Sequence, residues 1–240
     1  MKTAGSTFRR RMVRELGAAQ VFPSTELDPP EALPNLKVSY LTSVDAGRLR
    51  SVRAFAAHLP YFATELVPTP SLTLTILRHP VERTISYLKQ HHRDRSLGPE
   101  RTLESIYELP WHHSLHIKNY QARVFATEAH EGIDSVLTEV EMDPFRLARA
   151  KERIRSVDIL GLQERFDEFV EEAVGRLGWR GNLIVQDQRR SEPVEVSKSF
   201  RRRIADDNAE DVELYEFACD LYEARRREAR TRSPRGSPGR

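Results

Sequence analysis

The stretch SLTLTILRHP, residues 71–80, decides the fold class of this chain. Its first seven residues are mostly apolar or β-branched, and the run is short enough to be a buried strand of a parallel sheet. Arg78 and His79 end the run, and Pro80 stands where the first turn of a helix would begin. Residues 81–90 continue with helical spacing of apolar side chains. The pattern predicts a strand, a tight turn and a helix.

Strands and helices alternate on both sides of this unit. Further strands are predicted at residues 36–41, 158–162 and 183–185. Helices are predicted at residues 8–16, 44–55, 81–90, 103–126 with an interruption at Pro110, 145–156, 164–177 and 200–223. This alternation is typical of an α/β fold in which helices cover both faces of a central, mostly parallel sheet.

Charge is distributed unevenly along the chain. Residues 225–240 hold seven arginines and one glutamate, so residues 1–224 carry 31 basic and 35 acidic side chains, a net charge of −4. A nucleic-acid-binding domain carries positive charge on its folded body, so this class of function is disfavoured. We expect one domain at residues 1–224. The Arg-, Ser- and Pro-rich residues 225–240 are expected to form a disordered tail.

The cellular compartment follows from two further features. No window approaches the roughly 18 apolar residues that a membrane-spanning helix needs, and the N-terminus has no apolar stretch of the signal-peptide type. The single cysteine, Cys219, excludes an internal disulfide and agrees with a reducing compartment. The sequence therefore predicts a cytoplasmic protein without a membrane span.

Two short segments have the composition of anion-binding sites. The first is Lys2-Thr3-Ala4-Gly5-Ser6-Thr7, where small residues before a helix let backbone N–H groups converge on a phosphate. Its lysine precedes the glycine, unlike the nucleotide-binding loop of ordinary ATPases and GTPases. The second segment pairs Arg78 at a strand end with Ser86, eight residues and about two helical turns further on. Taken alone, the first segment is equally compatible with a helix start. Taken alone, the second is better explained as a surface arginine and a helix serine.

The histidine-rich segment at residues 111–116 allows other interpretations. His112 and His116 have the spacing of a zinc pair, but no carboxylate or cysteine stands at ligand spacing, so no metal site is predicted. Trp111 could line a sugar pocket, but a core position is the favoured interpretation.

Together the two anion-binding segments resemble the sulfotransferases that use 3′-phosphoadenosine 5′-phosphosulfate (PAPS). Further stretches resemble the branch that contains carbohydrate 2-O-sulfotransferases and bacterial relatives. They are HLPY at residues 58–61, NYQAR at 119–123, ILGLQERF at 159–166, and residues 211–215. The resemblance extends from residue 2 to about residue 223.

This resemblance implies a P-loop-like, three-layer fold and a role for each matching residue. Residues 2–7 would hold the 5′-phosphate and sulfate, while Arg78 and Ser86 would hold the 3′-phosphate. His58 corresponds to the candidate general base, with Glu65 as the reserve candidate or as the residue that orients His58. Lys2 would also stabilise charge on the leaving phosphate. The implied acceptor is a hydroxyl of a carbohydrate or other small metabolite, with PAPS as co-substrate and no metal.

One departure from the family pattern leaves alternatives open. The family has a hydrophobic strand before the first anion-binding segment, whereas only Met1 precedes Lys2 here, so we expect the true start to lie upstream. A catalytically weak PAPS-binding or interaction protein with the same fold is the main alternative. An unusual nucleotide kinase is a third.

Overall fold

The computed structural model describes residues 5–24, 26–28, 38–67, 71–94, 97–98, 100–132, 139–179 and 195–232. Its α-helices are α1 (Gly5–Leu16), α2 (Val38–Ser43), α3 (Ala46–Ser51), α4 (Pro80–Asp94), α5 (Leu103–Tyr107), α6 (Pro110–His112), α7 (Tyr120–Ala126), α8 (Ala129–Gly132), α9 (Pro144–Ser156), α10 (Phe166–Leu177), α11 (Lys198–Asp207) and α12 (Ala209–Arg232). Turns of 3-10 helix lie at Ala18–Gln20, Tyr61–Leu66 and Gln163–Arg165, and a π-helical turn lies at His113–Ile117.

The strands form two parallel pairs. Strand β1 (Val21–Phe22) pairs with β2 (Ala54–Phe55), and β3 (Leu74–Leu77) pairs with β4 (Ile159–Leu162). In the second pair Leu74 lies opposite Ile159 and Leu77 lies opposite Leu162. The described residues therefore form a mixed helix and strand structure with small parallel sheets, which confirms the predicted α/β class.

The strand–turn–helix unit of residues 71–90 lies in the middle of the packed structure. On one face of β3–β4, Ile76 and Ile159 belong to an apolar cluster with residues of α1 and α10. On the other face, Leu77, Leu160 and Leu162 belong to a cluster with residues of α7, α9 and α12. Helices thus cover both faces of the β3–β4 pair.

Two sequence predictions need correction and one lies outside the described residues. Of the strand predicted at residues 36–41, residues 38–41 belong to α2 instead, where Val38 is buried with Leu41, one helical turn later, and residues 36–37 lie outside the described residues. The helix predicted at residues 44–55 is too long, because α3 ends at Ser51 and Ala54–Phe55 form β2. Strand β1 was not predicted, since a two-residue strand leaves no periodic pattern. The strand predicted at residues 183–185 falls outside the described part of the chain.

The C-terminal helix passes the expected domain boundary at residue 224. Helix α12 continues to Arg232, and Arg225 donates hydrogen bonds to the carbonyls of Val157 and Arg155 at 2.8 and 2.6 Å. Alanine, glutamate and arginine all favour helix, so the high arginine content here extends α12 instead of ending it. The expected tail can begin only after this helix, and residues 233–240 lie outside the described residues.

The packing of β4 on α10 yields a stability prediction. A Cβ atom built on Gly161 would lie 2.5 Å from Cδ2 and 2.7 Å from Cγ of Phe169, whose side chain is fully buried. We expect Gly161→Ala to lower the free energy of unfolding by about 1–3 kcal/mol, because the ring has little room to move. Chemical denaturation measures this change.

Gly175 provides the matched control for the same substitution. A Cβ atom on Gly175, in the exposed part of α10, would meet no atom within 4 Å. Gly175→Ala should therefore raise stability by about 0.5–1 kcal/mol through its better helix propensity. An unchanged or higher midpoint for Gly161→Ala would contradict the packing of Phe169 against β4.

Candidate functional site

Arg78 lies at the carboxyl end of β3, immediately before α4. The residue is half-buried, and His79 is the only residue between it and Pro80, where α4 begins. The carboxyl ends of parallel strands and the N-termini of helices are both common places for anionic ligands. Burial lowers the pKa of Arg78, while the carboxylates of Glu82 and Glu164 oppose that effect. The guanidinium therefore keeps its charge at neutral pH.

The side-chain amide of Gln121, in α7, forms two hydrogen bonds with the main chain of Arg78. The Arg78 N–H donates to Gln121 Oε1 at 3.1 Å, and Gln121 Nε2 donates to the Arg78 carbonyl at 2.9 Å. Gln121 is only 2% exposed. The backbone at the strand end is thus held by a residue 43 positions further along the chain.

A second set of contacts holds the other side of the same turn. Tyr215 of α12 donates its hydroxyl to Glu164 Oε2 at 2.8 Å, and its ring packs edge-on against His79 at a centroid distance of 5.4 Å. The N–H of His79 points to Glu164 Oε1 at 3.5 Å. Gln121, Glu164 and Tyr215 each come from a different stretch quoted above for its resemblance, and the three converge on the Arg78 turn.

A buried network links the start of α7 to the start of α12. Asp211, which is fully buried, accepts hydrogen bonds from the N–H groups of Gln121 at 3.1 Å and Ala122 at 2.6 Å. Asn119 has a left-handed backbone with φ 48° and binds Asn208 Oδ1 through its N–H at 2.8 Å. Burial raises the pKa of Asp211, an effect opposed most strongly by Arg83. The network fixes the helix that carries Gln121.

Sequence reasoning missed Arg83, a buried residue of α4. Arg83 is 2% exposed, donates from Nη2 to the carbonyls of His116 and Ile117 at 2.8 and 3.2 Å, and lies 4.9 Å above the ring of Tyr120. It lies on roughly the opposite side of the helix from Val81, so the amphipathic pattern of α4 gave no sign of its burial. Arg83 joins the π-helical turn to the site.

Ser86 lies in the same helix, two turns beyond Arg78. Its side chain is half-buried, one turn after Glu82, whose carboxylate pairs with Arg201 at 2.5 Å. The structure thus places both residues of the predicted 3′-phosphate segment in one strand–turn–helix unit.

Aromatic and histidine rings gather beside α4. The Tyr87 hydroxyl is hydrogen-bonded to His112 Nδ1 at 2.5 Å, and the His116 ring stacks on Tyr87 at 5.4 Å. Burial lowers the pKa of His116 to about 4, so this imidazole is neutral at pH 7. Trp111, favoured as a core residue from the sequence, is instead 57% exposed and touches His116 edge-on at 4.7 Å.

His58 lies between β2 and the 3-10 turn Tyr61–Leu66. Its side chain has solvent access, yet protein surrounds it closely enough that burial lowers the pKa of His58 to about 4. The imidazole is therefore neutral at pH 7. Glu65 is exposed in the same turn. Its negative charge raises the pKa of Arg153, against the lowering that burial causes. Tyr61 packs against Phe125 of α7 at 5.7 Å, so the turn after His58 contacts the helix that carries Gln121.

The first anion-binding segment is described only from Gly5 onward. Lys2, Thr3 and Ala4 lie outside the described residues, whereas Gly5, Ser6 and Thr7 form the first turn of α1. Phe8 follows and packs against Phe169 at 5.1 Å, in the same cluster as Ile76 of β3. The helix that begins with this segment therefore packs on the sheet that ends at Arg78.

The described residues contain neither a cluster of metal ligands nor a membrane-spanning helix. No group of three or more histidine, cysteine, aspartate or glutamate side chains in the described part of the chain could hold a metal ion. Among the described helices, none combines the length and apolar character needed to cross a membrane.

Comparison with known proteins gives one informative similarity. The chain is 34% identical over 108 residues to heparan-sulfate 6-O-sulfotransferase 2 of Danio rerio. The match covers 41% of this chain, which spans about a quarter (23%) of that relative's length. No model of a protein family matches the chain. The similarity indicates a distant relationship with sulfotransferases.

Proposed function

We propose that this chain transfers a sulfuryl group from PAPS to a hydroxyl of a carbohydrate or other small metabolite. The observation that carries the proposal is Arg78 at the carboxyl end of β3, with its main chain held by Gln121 and the following residue in contact with Glu164 and Tyr215. The distant relationship with a sulfotransferase supports the same reaction class. That relative is a heparan-sulfate sulfotransferase by name, so a carbohydrate is the favoured acceptor in the proposal.

The chemistry of the described residues fits a nucleotide with a 3′-phosphate. A half-buried guanidinium next to a helix N-terminus suits a dianionic phosphate, because both supply donors and positive potential. In the proposal Arg78 and Ser86 bind the 3′-phosphate, while residues 2–7 bind the 5′-phosphate and sulfate. PAPS supplies the sulfuryl group when it is bound.

His58 acts in the proposal as the general base. A neutral imidazole accepts the proton of the acceptor hydroxyl as that oxygen attacks, and the lowered pKa of His58 keeps the ring neutral at pH 7. Lys2 offsets negative charge on the leaving phosphate. Glu65 remains the reserve base or the residue that orients His58.

The proposed fold is a P-loop-like, three-layer arrangement within one domain. The burial of β3–β4 between α1 and α10 on one face and α7, α9 and α12 on the other supports this architecture. The domain would extend to the end of α12 instead of residue 224.

Titration calorimetry with adenosine 3′,5′-bisphosphate (PAP), followed by competition with ATP, tests the nucleotide assignment. We expect one PAP per chain and at least about tenfold weaker binding of ATP, because a charge-assisted contact to the 3′-phosphate is worth about 1.5–3 kcal/mol. Equal binding of the two nucleotides would favour the kinase alternative and overturn the proposal.

A sulfotransfer assay then separates the enzyme from the binding protein. PAPS consumption is measured over a panel that includes desulfated heparan-type oligosaccharides and simple sugars. Acceptor-dependent release of PAP supports the proposal. Tight PAP binding without turnover on any acceptor would favour the catalytically weak binding protein with the same fold.

A further inference from the structure

We propose that Gln121 is a positioning residue that sets the main chain of Arg78 and thereby aims its guanidinium at the 3′-phosphate. The inference rests on the proposed function, and the role it assigns to Gln121 is exerted through Arg78. Both ends of the Gln121 amide bind the same residue, through Oε1 to the Arg78 N–H at 3.1 Å and through Nε2 to the Arg78 carbonyl at 2.9 Å.

The position of this contact, at the end of β3, explains why an amide side chain is required. The ladder between β3 and β4 ends with the pair Leu77 and Leu162, so Arg78 is the first residue beyond it. Its N–H and carbonyl groups still require partners, because they are partly buried. A primary amide presents a donor and an acceptor side by side, as a neighbouring strand would. Gln121 therefore extends the pairing of β3 by one residue.

The side chain and the backbone of Gln121 are both fixed by their surroundings. Its side chain is 2% exposed, and its N–H donates to Oδ2 of the fully buried Asp211 at 3.1 Å. Burial restricts the side chain of Gln121, and the hydrogen bond to Asp211 restricts its backbone. The main chain of Arg78, which Gln121 binds, is therefore restricted as well. Pre-organisation of this kind reduces the cost of aligning a ligand contact when the ligand arrives.

The test replaces the amide and measures discrimination between nucleotides. Gln121→Met keeps the length of the side chain without polar hydrogen bonds, and Gln121→Asn keeps the amide but is too short to reach Arg78. We expect both variants to bind PAP about tenfold more weakly, since two hydrogen bonds to the Arg78 main chain are lost. Binding of adenosine 5′-monophosphate, which lacks the 3′-phosphate, should stay within about twofold of wild type.

Two further measurements distinguish positioning from general loss of structure. In steady-state kinetics the KM for PAPS should rise about tenfold with kcat little changed, because a poorly aimed contact weakens binding more than chemistry. Tyr107→Phe removes another buried hydrogen bond, from the Tyr107 hydroxyl to Asp207 at 2.7 Å, and should leave the ratio of PAP to adenosine 5′-monophosphate affinity unchanged.

The double variant separates this inference from the proposed function. In the Arg78→Ala background, Gln121→Met should cause no further loss of PAP affinity, because Gln121 acts only through Arg78. If Arg78→Ala weakens PAP binding but both Gln121 variants bind normally, the positioning role is wrong and the function stands. If Arg78→Ala itself has no effect, the proposed function is wrong. If the Gln121 variants lost affinity for PAP and for adenosine 5′-monophosphate equally, the role of Gln121 would be purely structural.

Discussion

Replacing His58 with alanine should lower turnover by at least about a hundredfold, while PAP affinity should stay within about twofold of wild type. The physical reason is that the proton of the acceptor hydroxyl would lose its proposed acceptor, whereas the proposed contacts of the nucleotide with Arg78 would remain. Single-turnover kinetics at saturating PAPS measure the chemical step, and calorimetry with PAP measures the binding.

Two variants control this experiment. His92→Ala removes an exposed histidine from the last turn of α4 and should change neither quantity. Glu65→Gln tests the reserve candidate, and a hundredfold loss there with normal turnover in His58→Ala would transfer the role of base to Glu65. Equal losses of binding and turnover in His58→Ala would show that the histidine is structural.

The pH dependence of the wild-type protein follows from the same imidazole. Because burial lowers the pKa of His58 to about 4, the neutral form should persist well below the usual histidine range near 6.5. The acid limb of kcat/KM should therefore lie near pH 4, with activity rising as pH increases through that value. An acid limb near pH 6.5 would show that the ring titrates as an ordinary exposed histidine.

Local features of the structure could be predicted from the sequence. The turn at Arg78 follows from a short apolar run that ends in Arg-His-Pro, a pattern confined to ten neighbouring residues. The helices α1, α9 and α10 have apolar side chains at helical spacing, and each begins within two or three residues of its prediction. Such elements are readable because neighbours in the chain determine them.

Contacts between distant residues could not be predicted in the same way. Gln121 binds a residue 43 positions away and Asp211 binds the N–H of Gln121 across 90 positions. Arg83 is buried because α4 contacts other helices on more than one side, which the pattern of a single helix does not reveal. The strands β1 and β2 depend on pairing across 33 residues, as Val21 lies opposite Ala54. Tertiary packing decides all of these features.

Replacing Arg78 with alanine should weaken PAP binding by at least about 30-fold, which corresponds to a loss of about 2 kcal/mol for a charge-assisted contact. The backbone held by Gln121 and the helix α4 remain, so the loss comes from the guanidinium alone. Arg78→Lys keeps the charge without the planar fork and should fall between wild type and alanine.

The loss at Arg78 must also be specific for the 3′-phosphate. Adenosine 5′-monophosphate should bind Arg78→Ala and wild type alike, because it lacks the 3′-phosphate that Arg78 is proposed to bind. Arg202→Ala, at an exposed position of α11, has the same change in net charge and controls for long-range attraction of an anion. PAP affinity of the two variants is compared at two salt concentrations. Salt screens the long-range attraction of the anion, so the loss that persists at high salt in Arg78→Ala alone comes from the direct contact. An equal effect of both substitutions would place the 3′-phosphate away from the end of β3, and the assignment of the site would then be wrong.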